Sequence, residues 1–314
     1  MASFYESGLL VGQPAWHGLG TRIENGFISP REALELAGMN WRVETEPCYL
    51  SDGTRVPKTM ITRRNTDGMI LGTVGDRYHP LQNEDAFNWF EPFIENKSAS
   101  FETAGSLKDG KVVWVLAKTN IETLEVSKND PIESYILLSH SHDGTLSIRG
   151  GFTGIRVVCN NTLSQAHNSS SSKLIRMKHT KNTKLALEKV QEIMDLGEKD
   201  FIATVDQYKF LASKSINKKD LERYVNLVLK TSDDEEKEVR KSTLERIEYL
   251  FENGQGNELA GKTYYGAYQA INEYLNYEQG RTQDSRLYNL WFGTNQNVDI
   301  KALDIANNMA SGLI

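Results

Sequence analysis

Between Thr145 and Leu187 the chain holds no Asp or Glu, and here its hydrophobic period changes from that of strands to that of helices. The stretch is 43 residues long and carries seven fixed positive charges, on Arg149, Arg156, Lys173, Arg176, Lys178, Lys181 and Lys184. Before it, short β-rich runs alternate with turn signals: Asp67-Gly68, Lys108-Asp109-Gly110 and Asp143-Gly144 each separate two such runs, as hairpins require. After it, apolar residues recur at helical spacing, first with Leu187, Val190, Ile193 and Met194. A chain that changes period once predicts an α+β fold: an N-terminal antiparallel-sheet domain with packed helices over 1–165, then an all-helical C-terminal domain over 183–314. The polar run around Ser169–Ser172 falls in the basic connector between them, residues 166–182.

Local signals place the elements. Ser29-Pro-Arg-Glu32 is a capping box with Pro at the first helical position, and Gly38 closes that helix. Residues 83–97 read as an amphipathic helix with Phe87, Phe90 and Ile94 on one face, kinked or shortened by Pro92. Further helices are expected over Asn217–Leu229, Glu235–Phe251, Thr263–Leu275 and Ile300–Met309.

Composition narrows the class of function. With 314 residues, 39% hydrophobic and 25% charged, the chain has the makings of one or two globular cores. No apolar run approaches the length of a membrane span, and the N-terminus lacks a signal peptide's pattern, so a cytoplasmic protein without a membrane partner is expected. Cys48 and Cys159 are too few and too far apart for a disulfide framework and read as buried small hydrophobes. The net charge of −6 sits entirely in residues 188–314, which hold 22 acidic side chains against 16 Lys and Arg. The first 187 residues hold 20 of each, so overall acidity does not exclude an anion-binding N-terminal half.

No catalytic constellation stands out, and neither a cofactor nor a metal is expected. His140-Ser-His142 would place two imidazoles on one strand face, but no third ligand follows at a telling spacing, so solvated residues beside a turn are the simpler reading. His79 reads as a turn residue. Gly150-Gly151-Phe-Thr-Gly154 lacks the phosphate-loop pattern and reads as a strand with a bulge. Ser169–Ser172 has no nucleophile elbow around it. The basic residues carry the strongest signal: Arg149, Arg156, Lys173, Arg176, Lys178, Lys181 and Lys184, joined by Arg63, Arg64 and Arg77 and by Tyr78 as a base-stacking platform.

Three stretches resemble a phage- and plasmid-borne family known only as domain of unknown function 932. They are Trp16-His-Gly-Leu-Gly-Thr21, Arg156-Val-Val-Cys-Asn-Asn-Thr-Leu163, and Gly261-Lys-Thr-Tyr-Tyr-Gly-Ala-Tyr-Gln-Ala-Ile-Asn-Glu-Tyr274. The resemblance implies a mobile-element product acting inside a bacterial host. The order of hairpins and helices is also similar to the β-β-α core of phage single-strand annealing proteins, a likeness of fold only. The expectation is a non-enzymatic, oligomeric protein that binds single-stranded nucleic acid and assists recombination or replication. The alternative is a protein-binding inhibitor of a host anti-phage defence complex, with a host defence or replication protein as partner.

Overall fold

A computed structural model describes residues 5–11, 21–23, 28–156, 161–163, 175–180, 190–230 and 239–314. The strands are β1 (Tyr5–Val11), β2 (Thr21–Ile23), β3 (Val43–Tyr49), β4 (Arg55–Arg64), β5 (Ile70–Gly75), β6 (Ala99–Leu107), β7 (Val112–Thr119), β8 (Leu124–Glu125), β9 (Pro131–Ser141), β10 (Ile148–Arg156), β11 (Asn161–Leu163) and β12 (Ile175–Met177). The helices are α1 (Pro30–Leu36), α2 (Asn83–Asn88), α3 (Glu91–Glu95), α4 (Val190–Ala212), α5 (Lys218–Leu229), α6 (Lys241–Asn253), α7 (Asn257–Ala260), α8 (Tyr264–Glu273), α9 (Gln283–Phe292) and α10 (Thr294–Ala310). Strands fill the N-terminal half and helices the C-terminal half, an α+β protein.

The chain divides into two compact units that are interleaved in sequence. The first comprises residues 1–120, 135–152 and 173–197, and the second comprises 121–134, 153–172 and 198–314. The sequence suggests one passage, through a connector at 166–182. The chain instead passes between units several times, because β9 and β10 each contribute residues to both.

In the first unit the sheet runs β10-β9-β7-β6-β1-β2, with β12 paired to β10 and a separate three-stranded sheet β3-β4-β5. Turn chemistry sets the hairpins. Lys108, Asp109 and Gly110 all take positive φ between β6 and β7, and Gly68 does so between β4 and β5. Val112 to Ala117 are six consecutive buried residues, so β7 is covered on both faces and its apolar run is continuous rather than alternating. Trp114 lies across Gly105, its register partner on β6: a Cβ there would stand 2.4 Å from Trp114 Cη2 and 2.7 Å from the Ser7 carbonyl. Only glycine lets the indole cross.

The capping box forms as the residues predict. Ser29 Oγ accepts from Glu32 N at 3.3 Å, and a Glu32 carboxylate oxygen accepts from Ser29 N at 2.9 Å. Pro92 breaks the helix expected over 83–97 into α2 and α3, since it cannot supply the N–H a continuous helix needs there. Phe87, Phe90 and Ile94 are nonetheless all buried, with Phe90 edge-on to Trp89 and Phe93. Cys48 is half-buried on β3, the edge strand of the smaller sheet, rather than a core residue, and Cys159 lies outside the described residues.

In the second unit, Asn217 caps α5 and Thr263 caps α8, each side chain accepting from a backbone N–H three residues on. The helix expected over Glu235–Phe251 is described from Lys241, residues 231–238 lying outside the described set. α10 begins six residues earlier than the expected Ile300, and α7 and α9 were not anticipated. α8 is buried on all sides from Tyr264 to Asn272 and runs directly into a π-helical turn, Tyr274–Glu278.

Candidate functional site

Two features of the first unit bear on function: basic residues that strand pairing sets opposite one another, and a buried group of histidines. Antiparallel pairing of β10 with β12 makes Arg149 and Arg176 register partners. Arg149 is half-buried, and Lys178, just past β12, is exposed. His79 N donates to the His179 carbonyl at 3.1 Å, which draws exposed Arg77 alongside the same segment. Strand pairing thus sets the Arg149 and Arg176 backbones opposite one another, with Lys178 two residues on and Arg77 two residues before the bond to His179.

Other expected contacts lie elsewhere. Arg63 sits between Glu44, at 3.5 Å, and Glu46. Arg64 has 7% of its side chain exposed, pairs with Glu6 and with Asp67 at 3.2 Å, and lies 4.9 Å from the centre of the Trp41 ring. Tyr78 is turned inward: its hydroxyl donates to the Ser141 carbonyl at 2.7 Å, its ring stacks on His179, and burial raises its phenol pKa. Arg64 and Tyr78 thus serve the interior of the unit rather than a stacking and phosphate surface. Arg156 pairs with Asn161 in the second unit and Arg149 belongs to the first. Only the backbone of Arg156 and Arg176 is described, and Lys173, Lys181 and Lys184 lie outside the described residues.

His140 and His142 are fully buried, not solvated. The last four residues of β9 are buried on both faces, so nearness to the Asp143-Gly144 turn brings no exposure. His179, at the far end of the acid-free run, joins them. The His140 ring centre is 4.8 Å from that of His142 and 6.0 Å from that of His179. Asn83 fixes one tautomer. Its amide nitrogen donates to the Met39 carbonyl at 3.0 Å, so its oxygen must accept from His142 Nε2 at 2.9 Å. The Leu146 carbonyl, 3.1 Å from His179 Nε2, fixes the other. His142 Nδ1 and both nitrogens of His140 have no hydrogen-bond partner.

Burial, reinforced by His142 and His179, keeps the His140 imidazole neutral well below the usual range. Burial, then His179 and Arg64, pushes His142 down to about 3. Burial also lowers His179, against the opposing pull of its bonds to Leu146 and His79 and of Asp143. Among the described residues no group of three His, Cys, Asp or Glu side chains is arranged so that it could hold a metal ion. Sequence reasoning missed His179 because it lies 37 residues beyond His142, and only β10–β12 pairing brings it back.

The second unit buries a different polar group, built on the motif Gly261–Tyr274. Asp299 of α10 is fully buried and accepts from the Asn272 amide at 3.0 Å. Asn276 donates to both oxygens of Asn272, and Asn295 donates to the Leu275 and Gln279 carbonyls. Burial, followed by the Asp299 charge, raises the phenol pKa of Tyr208, Tyr224 and Tyr268.

The chain is an α+β protein whose two compact units are interleaved in sequence. The model of the family described as Domain of unknown function (DUF932) matches residues 70–291, and the chain belongs to that family. No curated protein and no solved structure matches it. Among the described residues no helix is long and apolar enough to cross a membrane.

Proposed function

We propose that the protein binds single-stranded nucleic acid, through the surface that carries Arg77, Arg149, Arg176 and Lys178, as an annealing-type factor of a phage or plasmid. The observation that carries the reading is the register pairing of Arg149 with Arg176, beside the backbone bond that draws in Arg77. Lys and Arg drawn from separate segments can each meet a phosphate of one flexible strand. On this reading the protein acts by holding and pairing strands as an oligomer during recombination or replication, without catalysis. Arg63 and Arg64, compensated by carboxylates, and Tyr78, turned inward, contribute little to the interface.

The test is fluorescence anisotropy of a labelled oligo-dT and a matching duplex at low and moderate salt. Single-strand binding is expected, with a log–log salt slope of about 0.7 for each phosphate contact. The Arg149→Glu and Lys178→Glu variants should each weaken it and flatten that slope. Binding that is absent, or unmoved by salt, overturns the reading. The second reading, inhibition of a host defence complex, rests on the net charge of −6 concentrated in residues 188–314. Stoichiometric co-purification of a host protein in the absence of nucleic acid would favour it.

A further inference from the structure

We infer that strand binding is proton-linked through His179, whose imidazole takes up a proton when phosphates lie against Arg77, Arg149 and Lys178. The inference rests on the single-strand reading above and concerns the regulation of that same surface. His179 follows exposed Lys178 in the chain, and its carbonyl accepts from His79 N at 3.1 Å, two residues after exposed Arg77. Its ring stacks on that of Tyr78, with centres 4.7 Å apart and planes at 28°. The imidazole is thereby held between the segments of Arg77 and Lys178. β12, which pairs Arg176 with Arg149, ends two residues before it. A charge on this ring adds to the positive potential of both segments.

The three buried imidazoles differ in what surrounds them. His140 has neither nitrogen bonded, and His142 has one nitrogen on Asn83 and the other bare, so a second proton on either would be buried without an acceptor. His179 faces acceptors instead. Its Nε2 stands 3.1 Å from the Leu146 carbonyl, and the His79 backbone and the Asp143 carboxylate also favour the charged ring. That carboxylate is fixed in place by Thr145, which donates its N–H at 2.9 Å and its hydroxyl at 2.6 Å. Tyr78, His140 with its ring centre 6.0 Å away, and His142 are neutral and set no charge against the proton. Burial opposes it, and so does the positive potential of Arg77, Arg149 and Lys178. Phosphates neutralise that potential and swing the balance towards imidazolium. By linkage the same factor returns as tighter strand binding in acid.

The experiment follows the anisotropy of a labelled oligo-dT titrated with the whole chain, at constant salt, from pH 7.5 to 5.5, where thymine has no titrating group. Binding by wild-type protein should tighten by about fivefold over that span, a modest coupling for one proton. His179→Gln, whose amide can still donate to the Leu146 carbonyl but cannot take a second proton, should lose this pH dependence and keep its salt dependence. His79→Gln should retain both. Salt-dependent binding that is flat with pH overturns the inference and leaves the single-strand reading standing, whereas no binding at any pH overturns both. A pH dependence that persists in folded His179→Gln, or that disappears in His79→Gln, also overturns it, because the proton then sits elsewhere. Should His179→Gln fail to fold, calorimetry of wild-type protein with oligo-dT at pH 6, in two buffers of different ionisation heat, counts the protons directly. Uptake of up to about one proton per bound strand is expected, and zero uptake overturns the inference.

Discussion

The first unit buries three imidazoles around His140, whereas the second buries a carboxylate, Asp299, among amides and phenols. An amide carries donor and acceptor together, so Asn272, Asn276 and Asn295 bond to one another and to helix carbonyls. Gln269, with neither side-chain amide atom bonded, and the side-chain oxygens of Asn257, Asn276 and Gln279 are exceptions. A neutral imidazole with one N–H committed has only a lone pair left, and its imidazole neighbours offer few donors to meet it. Polar burial in the helical unit thus joins amides to amides and carbonyls, and in the β-rich unit it leaves imidazole nitrogens open to a proton.

Acid is the strongest way to separate the two. His140 and His142 are held neutral in the folded chain, while in the unfolded chain they titrate near pH 6.5. Below that pH the unfolded state binds more protons, so stability falls with falling pH, and above it the term is flat. His142 alone should remove about 3 kcal/mol by pH 4, at up to about 1.4 kcal/mol per pH unit. Trp41, Trp89 and Trp114 of the chain's five tryptophans belong to the first unit, so indole fluorescence follows it preferentially. In urea melts from pH 7 to 4 the fluorescence midpoint should drop well before the helical ellipticity at 222 nm. Coincident acid shifts in both signals would erase the contrast.

Packing offers the next largest effect, again in the first unit alone. Gly105→Ala forces a methyl against the Trp114 ring and the Ser7 carbonyl, and should cost about 3 kcal/mol at every pH. In the second unit, Asn272→Leu withdraws the donor from the Asp299 carboxylate and should cost about 2 kcal/mol. That loss should appear in the helical ellipticity and leave the acid slope of the fluorescence unchanged.

Local chemistry was legible in the sequence, and what sequence-distant residues do to one another was not. The Ser29 cap, the Lys108-Asp109-Gly110 turn and the helix break at Pro92 each follow from a few adjacent residues, and each formed. His140 and His142 read as solvated because a nearby Asp-Gly turn is a surface signal, whereas burial depends on what covers β9 on each face. Arg63 and Arg64 read as free cations because Glu6 is 58 residues from Arg64, and Glu44 and Glu46 face Arg63 only through β3–β4 pairing. The motif Gly261–Tyr274 was visible as a pattern, but its burial against Asp299 depends on α10. The sequence showed one change of period, and long strands shared by both units hid the interleaving.

The smallest expected effect checks that the acid response belongs to the histidines. Ser29 caps α1 in the first unit, with both bonds of its box at the surface and outside the histidine group. Ser29→Ala removes a partner for the first-turn N–H groups and should cost about 1 kcal/mol. Glu32, which that box holds below its ordinary carboxylate pKa, changes charge only in more acid solution than the onset of histidine titration. Between pH 7 and 5.5 the variant's fluorescence midpoint should therefore run parallel to that of the wild type, displaced by a constant amount. A variant curve that steepens or flattens over that interval would mean the pH dependence comes from general loosening of the unit, and the buried imidazoles would lose their special part in it.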